Sequence, residues 1–349
     1  MGRPGIRTID AETLERITRD IFAGWRAPRE DAAWLAALLV RANLRGHDSH
    51  GVIRIPHYVH ALKAGEVNPT PSIKIESETA TVAQIDGDRG FGQVVARHGI
   101  TVAIAKARTQ GLSAVTLKRT NHVGRLADYA EMAAVQGLIG MLWVNVPTAL
   151  NVAPWGGAAR RLGTNPHAVA VPGPNATVAM SHDFATSVVA EGKLKVKYNR
   201  GEKVAPGIMR NGRGEPSTDP REYYADPPGS LITAGEHKGY GLSLAVEILG
   251  GILSGTGAAR PDKGPVSNGV LMMCIDPARF LPAADFHAQV ATLFGFVRSA
   301  PLAGGSEEIL IPGEPEERTA RERRAGGVPV DDETWRQIKE CALEVGVDA

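Results

Sequence analysis

Residues 45–62 read RGHDSHGVIRIPHYVHAL and carry His47, His50, His57 and His60, four of the chain's ten histidines. Such residues can ligate a metal, move a proton near neutral pH, or do neither on a helix surface. His47/His50 and His57/His60 have the HxxH spacing that puts two ligands on one helix face. Against a metal, Gly51 and Pro56 interrupt the backbone between the pairs, HExxH is absent, and no carboxylate stands at a spacing that commonly completes such a site. For proton transfer, Ser49 precedes His50 and Gly51 lets the chain turn sharply after it. Arg54 lies on the same face as His50 if the segment is helical. A histidine that exchanges a proton beside an arginine that clamps a carboxylate suits chemistry on a 2-oxo or 2-hydroxy acid. A single His/Arg pair has little specificity, so a surface helix carrying histidine stands beside that reading.

Four further stretches could bind or react. KRTNHVGRLADYA (118–130) follows an expected strand and opens an expected helix at about Gly124, with Asn121 and His122 at a turn of the kind that collects anions. APWGGAARRLGTNPHAVAVP (153–172) sets Gly-rich and Asn-Pro turns around Arg160 and Arg161, where backbone amides could approach a ligand. GEHKGYGLSLAVEILGG, from Gly235, places Lys238 ahead of a glycine-rich helix start, which suits a phosphate although GxxxxGK[ST] is absent. ILIPGEPE (309–316) ends an expected strand in a Pro-Gly turn. Plain turns satisfy each of these stretches as well. No GxGxxG follows a strand, and GDRGFG (Gly87, Gly90, Gly92) has the wrong spacing, so the Rossmann fingerprint is absent.

These clusters hang on a helical, α/β, helical order. Asp10 is placed to cap a helix running to about Phe22 with Leu14, Ile17 and Ile21 as its apolar stripe. An Ala-rich helix follows from about Glu30 to Asn43, and a third from near Pro56 to Gly65, so the start of the chain reads as all-helical. PSIKIESETATVAQIDG alternates like a strand pair. GQVVARHGITVAIAKARTQG then reads as helix, LSAVTLKR as strand, GRLADYAEMAAVQG as helix and LIGMLWVNV as buried strand. Beyond residues 195–230, which read as a long excursion, come the helix KGYGLSLAVEILGGILSG, the strand GVLMMCID, the helix AADFHAQVATLFGFVRS and the strand EEILIP. A charged segment, EERTARERR, and an amphipathic helix, DDETWRQIKECALEVG, close the chain. The expected fold is α/β: a helical domain of residues 1–75 and 312–349 around an α/β domain of residues 76–311.

The totals agree. A chain of 349 residues suggests about two domains, at ~100–200 residues each. Its 39 basic and 38 acidic residues give +1, which favours neither nucleic acid nor an anionic membrane as a partner. Two cysteines, Cys274 and Cys341, exclude a disulfide framework or a cysteine-rich zinc site and fit a reducing cytoplasm. The longest apolar runs are broken by Asn145 or Glu247 and fall short of the ~18 residues of a spanning helix, and MGRPGIRTIDAETLERI has no signal-peptide core. A soluble protein is expected.

Taken together and in order, RANLRGHDSHGVIRIPHYVHALKAGEVNP, NHVG, APWGG, GTNP, HDFATSVVAEGK, HKGYGLSLAVEIL and IPGEPE resemble the malate/L-lactate dehydrogenase family of the non-Rossmann type, over nearly the whole chain. That family also holds sulfolactate, ureidoglycolate and diketogulonate oxidoreductases and piperideine-2-carboxylate reductases. The resemblance implies a homodimer with its active site near the subunit interface. It implies NAD or NADP, bound by the family's own α/β fold, which explains the missing fingerprint. It makes His50 the proton donor, Ser49 and Asp183 the groups that relay charge to it, and Arg54 the anchor for the substrate carboxylate. His122 matches a second active-site histidine, the base in some members, so which of His50 and His122 moves the proton stays open. His122, Gly124, Thr164, Asn165, Lys238, Gly313 and Glu314 match positions lining the cofactor. No metal is implied, and His47, His57 and His60 lie outside the motif. His182 departs from the pattern, since many members carry an apolar residue before the residue matching Asp183.

The implied reaction is hydride transfer between C4 of the nicotinamide and C2 of a small 2-hydroxy/2-oxo acid. The same groups would serve a cyclic imine-2-carboxylate. Two readings of other classes stand beside it: a metal-dependent hydrolase or lyase built on the clustered histidines, and a catalytically silent binding protein. The intact Ser49/His50/Arg54/His122/Asp183 set argues against the silent protein. No acidic residue or arginine decides between NAD and NADP, although Arg160 and Arg161 offer a phosphate contact.

Overall fold

The structure, a computed structural model, describes residues 5–261 and 267–349. A short strand, β1 (Ile6–Ile9), leads into α1 (Ala11–Gly24), where the Asp10 carboxylate accepts the Thr13 N–H at 2.8 Å and caps the first turn. Leu14, Ile17 and Ile21 are buried along one stripe of α1. The Ala- and Leu-rich α2 (Arg29–Leu44) is buried on several sides. Two single 3-10 turns, Asp48–His50 and Val52–Arg54, then connect to α3 (Ile55–Lys63), which has Pro56 in its first turn.

β2 (Lys74–Glu78) and β3 (Val82–Gly90) form the expected antiparallel pair. The crossover helix α4 (Gly92–Gln110) makes β4 (Leu112–Thr120) the parallel neighbour of β3. α5 (Ala127–Ala134), β5 (Ile139–Asn145), β6 (His167–Pro172) and β7 (Val178–Phe184) follow. The next stretch holds α6 (Glu191–Arg200), β8 (Met209–Arg210), β9 (Pro216–Ser217), α7 (Pro220–Tyr223) and β10 (Ser230–Leu231). It contains a three-stranded sheet, order β10-β8-β9, and Leu194, Met209, Tyr223 and Leu231 join Val152 and Leu162 in an apolar cluster of their own. The expected excursion is therefore a folded lobe. α8 (His237–Val246) runs into a π turn at Glu247–Ile252, and β11 (Asn268–Ile275) and α9 (Ala283–Arg298) come next.

The main sheet has the order β2-β3-β4-β11-β5-β6-β7, and every described neighbour pair except β3/β4 is antiparallel. One face is apolar: Ile85, Leu117, Leu142, Val144, Ala168, Ala170, Val270 and Met272 pack with α4 and α5 into one core. The chain ends with α10 (Glu314–Gly326), β12 (Val328–Asp331) and α11 (Asp332–Leu343). β12 pairs with β1, and Trp335, Ile338 and Ala320 share a second core with α1, α2 and α3. Among the described residues no helix is long and apolar enough to cross a membrane.

Several expectations need correction. The chain start is not all-helical, because β1 pairs with a strand more than three hundred residues away. β6 falls in the stretch 153–172, where the sequence shows Gly-rich and Asn-Pro turns, and β7 falls where no element is expected. Residues 307–312 form no strand: the Glu314 carboxylate takes the Ile311 N–H at 2.7 Å, Pro312 has no N–H, and Ser181 N–H to Pro312 O at 3.0 Å is the bond to the sheet edge. The helix expected at Gly124 starts at Ala127, because Gly124 has φ +78.

Candidate active site

His50 closes the Asp48–His50 turn, and Asn43 of α2 fixes that turn. Asn43 Oδ1 accepts the Val52 N–H at 2.8 Å, and Nδ2 donates to Asp48 Oδ1 at 2.7 Å. Gly51 presses on this amide where a Cβ would collide with it. Ser49 Oγ lies 2.9 Å from His50 Nδ1. Arg54 folds back and donates from Nε to Ser49 O at 2.7 Å. Among the described residues nothing hydrogen-bonds its two Nη groups, so one edge of the guanidinium stays open for an anion.

His122 arrives from the end of β4, beside the end of its parallel neighbour β3. Its loop is tied down by Asn121 Oδ1, which accepts the His122 N–H at 2.8 Å, and by Asn268 Oδ1, which accepts the Val123 N–H at 2.9 Å. Gly92, opening α4, lies so near His122 O that no Cβ would fit. The rings of His50 and His122 consequently face each other, centroids 5.4 Å apart and planes 31° apart. Behind His122, Tyr58 Oη lies 2.7 Å from Nδ1 and accepts from Gln93 Nε2 at 2.8 Å. Burial, reinforced by the Arg54 charge, pushes His50 down to about 3 and holds His122 well below the usual histidine range. Both imidazoles are therefore neutral at neutral pH.

Asp183 of β7 caps α5: its Oδ2 accepts the N–H groups of Leu126 and Ala127 at 2.6 and 3.0 Å. Among the described residues neither Ser49 nor His50 hydrogen-bonds it. Burial raises its pKa despite those N–H groups and the nearby Arg125. Arg125 itself is buried and pairs with Asp128 at 2.7 Å and Glu131 at 2.9 Å. Glu131 also accepts from Ser181 Oγ at 3.0 Å and from Arg41 of α2 at 2.7 Å, so one ion network ties the sheet to the helices. Burial would lift Glu131, but Arg125, Arg45 and Arg41 hold it below its usual range.

Of the other residues expected to line a cofactor, Thr164 sits beside the chain just past β7, and Gly313 lies against Ser181 within β7. Thr164 O accepts the Thr186 N–H at 2.9 Å, and Thr186 O accepts the Ala234 N–H at 2.8 Å just ahead of α8. Asn165 is fully buried at φ +40. Its Nδ2 donates to Ser243 Oγ at 2.9 Å and Glu247 Oε1 at 2.8 Å, while its Oδ1 has no partner among the described residues. Lys238 is exposed in the first turn of α8, a helix start that no side chain caps. Gly313, φ +102, packs on Ser181 at the start of α10. Glu314 is engaged by Ile311 N–H and by Arg298 of α9.

Other candidates stand apart. Arg160 is committed to the lobe: it donates to Gly229 O at 2.6 Å and Tyr223 O at 2.5 Å and stacks 3.8 Å over the Tyr223 ring. Arg161 donates to Arg160 O at 2.7 Å. His47 lies 3.7 Å from Glu316, and His57 and His60 point outward from α3. Among the described residues no group of three or more His, Cys, Asp or Glu side chains is placed to hold a metal. His182 clusters with His167 and Phe184, centroids 4.9 and 5.1 Å away, one residue out of phase with Asp183 and so on the other sheet face. Sequence reading missed Tyr58, Gln93, Asn43 and Arg125. Tyr58 carried one available signal, lying one helical turn beyond Arg54, whereas Gln93 stood out only as a polar residue at the start of an apolar helix.

The comparisons bear on this geometry. A family model described as Malate/L-lactate dehydrogenase matches residues 9–339. Hydroxycarboxylate dehydrogenase B of Escherichia coli O157:H7 is 36% identical over 343 residues, spanning 97% of this chain and 94% of that protein. The structure of sulfolactate dehydrogenase from Methanocaldococcus jannaschii superposes with a TM-score of 0.88 at 36% identity, covering 98% of each chain. That of Δ1-piperideine-2-carboxylate reductase from Pseudomonas syringae superposes at 0.82 with 27% identity, covering 96% of this chain and all (100%) of that one. Fold, site and similarity define an oxidoreductase, a hydroxy-acid dehydrogenase. The chain belongs to the malate/L-lactate dehydrogenase family.

Proposed function

We propose that this enzyme transfers hydride between a nicotinamide nucleotide, NAD or NADP, and C2 of a small 2-hydroxy/2-oxo acid of the malate or lactate type. The observation that carries the reading is the pairing of two neutral, facing imidazoles with an arginine whose outer edge is open. The residues present fit the nucleotide. Lys238 and the uncapped start of α8 suit a phosphate, the partnerless Oδ1 of buried Asn165 suits an amide donor, and Gly313 permits close backbone approach. When bound, the nucleotide supplies or accepts the hydride. Arg54 pairs with the carboxylate and fixes C2, an orientation that contributes several kcal/mol. Ser49 holds the His50 ring, and an imidazole exchanges the proton with the substrate oxygen. Asp183 acts by holding the loop after His122 through Leu126 and Ala127.

The same set would protonate the nitrogen of a cyclic imine-2-carboxylate. The named activity of the Pseudomonas reductase favours keeping that second reading. The working unit in this proposal is a homodimer, with residues 1–75 and 312–349 as its substrate and dimer domain and residues 76–311 binding the nucleotide. No residue of α9 is buried within the chain, and Phe296 is 77% exposed; α9 lies within residues 76–311, so a second copy covering it would extend the dimer contact beyond residues 1–75 and 312–349. Cys274 and Cys341, buried and unpaired, accord with a cytoplasmic setting.

The test is absorbance decay of NADH and NADPH, chelator present, against pyruvate, oxaloacetate, sulfopyruvate, a diketogulonate and a piperideine carboxylate. Turnover of one of these, lost in His50→Ala, supports the reading. Failure with every acid, with ureidoglycolate tried oxidatively, would sink it, and activity that the chelator abolishes would revive a histidine-bound metal.

A further inference from the structure

We infer that Gln93 and Tyr58 lock His122 as a neutral imidazole with its proton on Nε2, so that His122 only holds the substrate oxygen and His50 alone exchanges the proton. This rests on the dehydrogenase reading above and divides the labour between its two histidines.

The argument follows hydrogen-bond direction along a buried chain. The Gln93 Nε2 nitrogen is a donor only, so Tyr58 Oη is its acceptor at 2.8 Å. Tyr58 keeps one proton, and His122 Nδ1 lies 2.7 Å from Oη. Were Nδ1 protonated, Oη would accept twice and its own proton would lack a described partner at a side chain only 1% exposed. Donation from Tyr58 to a bare Nδ1 satisfies Tyr58 and His122 and leaves the proton on Nε2, and among the described residues Gln93 Oε1 is the one atom of this chain of bonds without a partner. Gln93 is also 1% exposed, so bulk water offers no rival to either bond. The fold enforces the arrangement: Gln93 opens the helix after β3, His122 ends β4, and these strands are parallel neighbours.

His50 is backed differently. Ser49 Oγ, 2.9 Å from its Nδ1, is a rotatable hydroxyl that can donate or accept. His50 can therefore carry its proton on either nitrogen, as a group that gives and takes protons must. A neutral ring fixed as Nε2–H has no lone pair there to accept a proton and would become an anion by giving one. With the nucleotide bound, reduction would deliver its hydride to C2, and the C2–O π pair would move to oxygen, which then needs a proton. His50, protonated at Nε2, gives that oxygen its proton and ends neutral. His122 keeps its N–H to the same oxygen throughout, and the products are the hydroxy acid and oxidised nicotinamide. Oxidation is the reverse. Gln93 and Tyr58 are thus positioning residues, acting through His122.

Two-bond 1H–15N spectra of the full chain labelled with [15N]histidine read the tautomer without substrate, the His122 signal being identified by its loss in His122→Gln. The expected spectrum shows a bare Nδ1 and a protonated Nε2, with the preference lost in Tyr58→Phe. A protonated Nδ1 in the wild type, which a reversed Gln93 amide would produce, overturns the inference. Kinetics add a second arm. His122→Gln keeps an N–H donor and should retain kcat within about 10-fold, whereas His122→Leu should lose ~100–1,000-fold, as when an oxyanion donor is removed. His50→Gln should lose ~100–10,000-fold. His122→Gln as inactive as His50→Gln would also overturn it. A wild type inactive on every acid would count against the dehydrogenase reading while leaving the spectral result standing.

Discussion

A His50 imidazole pushed down to about 3 by burial and by Arg54 sets a pH signature for each direction of turnover. The protonated form needed for reduction becomes scarcer as pH rises above that pKa. Reductive kcat/KM should therefore fall about tenfold per pH unit through the neutral range, while oxidative kcat/KM, which needs the neutral form, should stay flat. Initial rates in both directions check this, and a flat reductive profile would refute it. The same shift affects stability. The folded pKa of His50 and of His122 lies below the unfolded value of 6.5, so the unfolded chain takes up protons first as pH falls. Stability present above 6.5 should thus be lost progressively from there toward the folded value, and thermal unfolding of His50→Asn should show a shallower acid decline. Arg54→Lys keeps the charge but loses the fork, so kcat/KM for the acid should drop about 100-fold with nucleotide affinity retained. His50 and Arg54 were legible because their relation is local. Tyr58 and Gln93 were not, because the β3-α4-β4 crossover brings Gln93 to His122 and α3, far off in sequence, sets Tyr58 between them.

At the scale of elements, the site depends on turns fixed by side chains. Asn43→Ala would leave the Val52 N–H without its acceptor in a buried turn and should destabilise the protein by ~1–3 kcal/mol, measurable by urea denaturation. Activity should fall further than that loss of folded protein explains, because the same amide orients the turn that carries Ser49 and His50. A wild-type rate in a destabilised variant would detach the turn from catalysis. The helices and central strands could be read from apolar periodicity, as with Leu14, Ile17 and Ile21 or the strand LIGMLWVNV. Where reading failed, a specific competing contact won. Glu314 captured an amide that a strand at 307–312 would have used, and Arg160, read as a phosphate contact, stacks on Tyr223. β1 is too short and too exposed to announce a partner at the far end of the chain.

At the scale of the whole molecule, α9 presents Leu293 and Phe296, 54% and 77% exposed, on a helix that the rest of the chain does not cover. If a second copy covers it, Phe296→Asp should shift sedimentation from dimer to monomer, and an unchanged dimer would place the interface elsewhere. The closing of the chain on itself has another consequence, for its birth. β12 must reach β1, and Trp335 and Ile338 must reach α1 and α3, before the first core exists. β11, late in the sequence, must slot between β4 and β5 before the second is whole. At ~5–20 residues per second, a ribosome spends roughly 17–70 s on this chain, about four fifths of it before β11, which ends at residue 275 of 349, has been made. A chain cut shortly before residue 328 lacks β12 and α11 and should leave the first core incomplete, which limited proteolysis of the truncated protein would check.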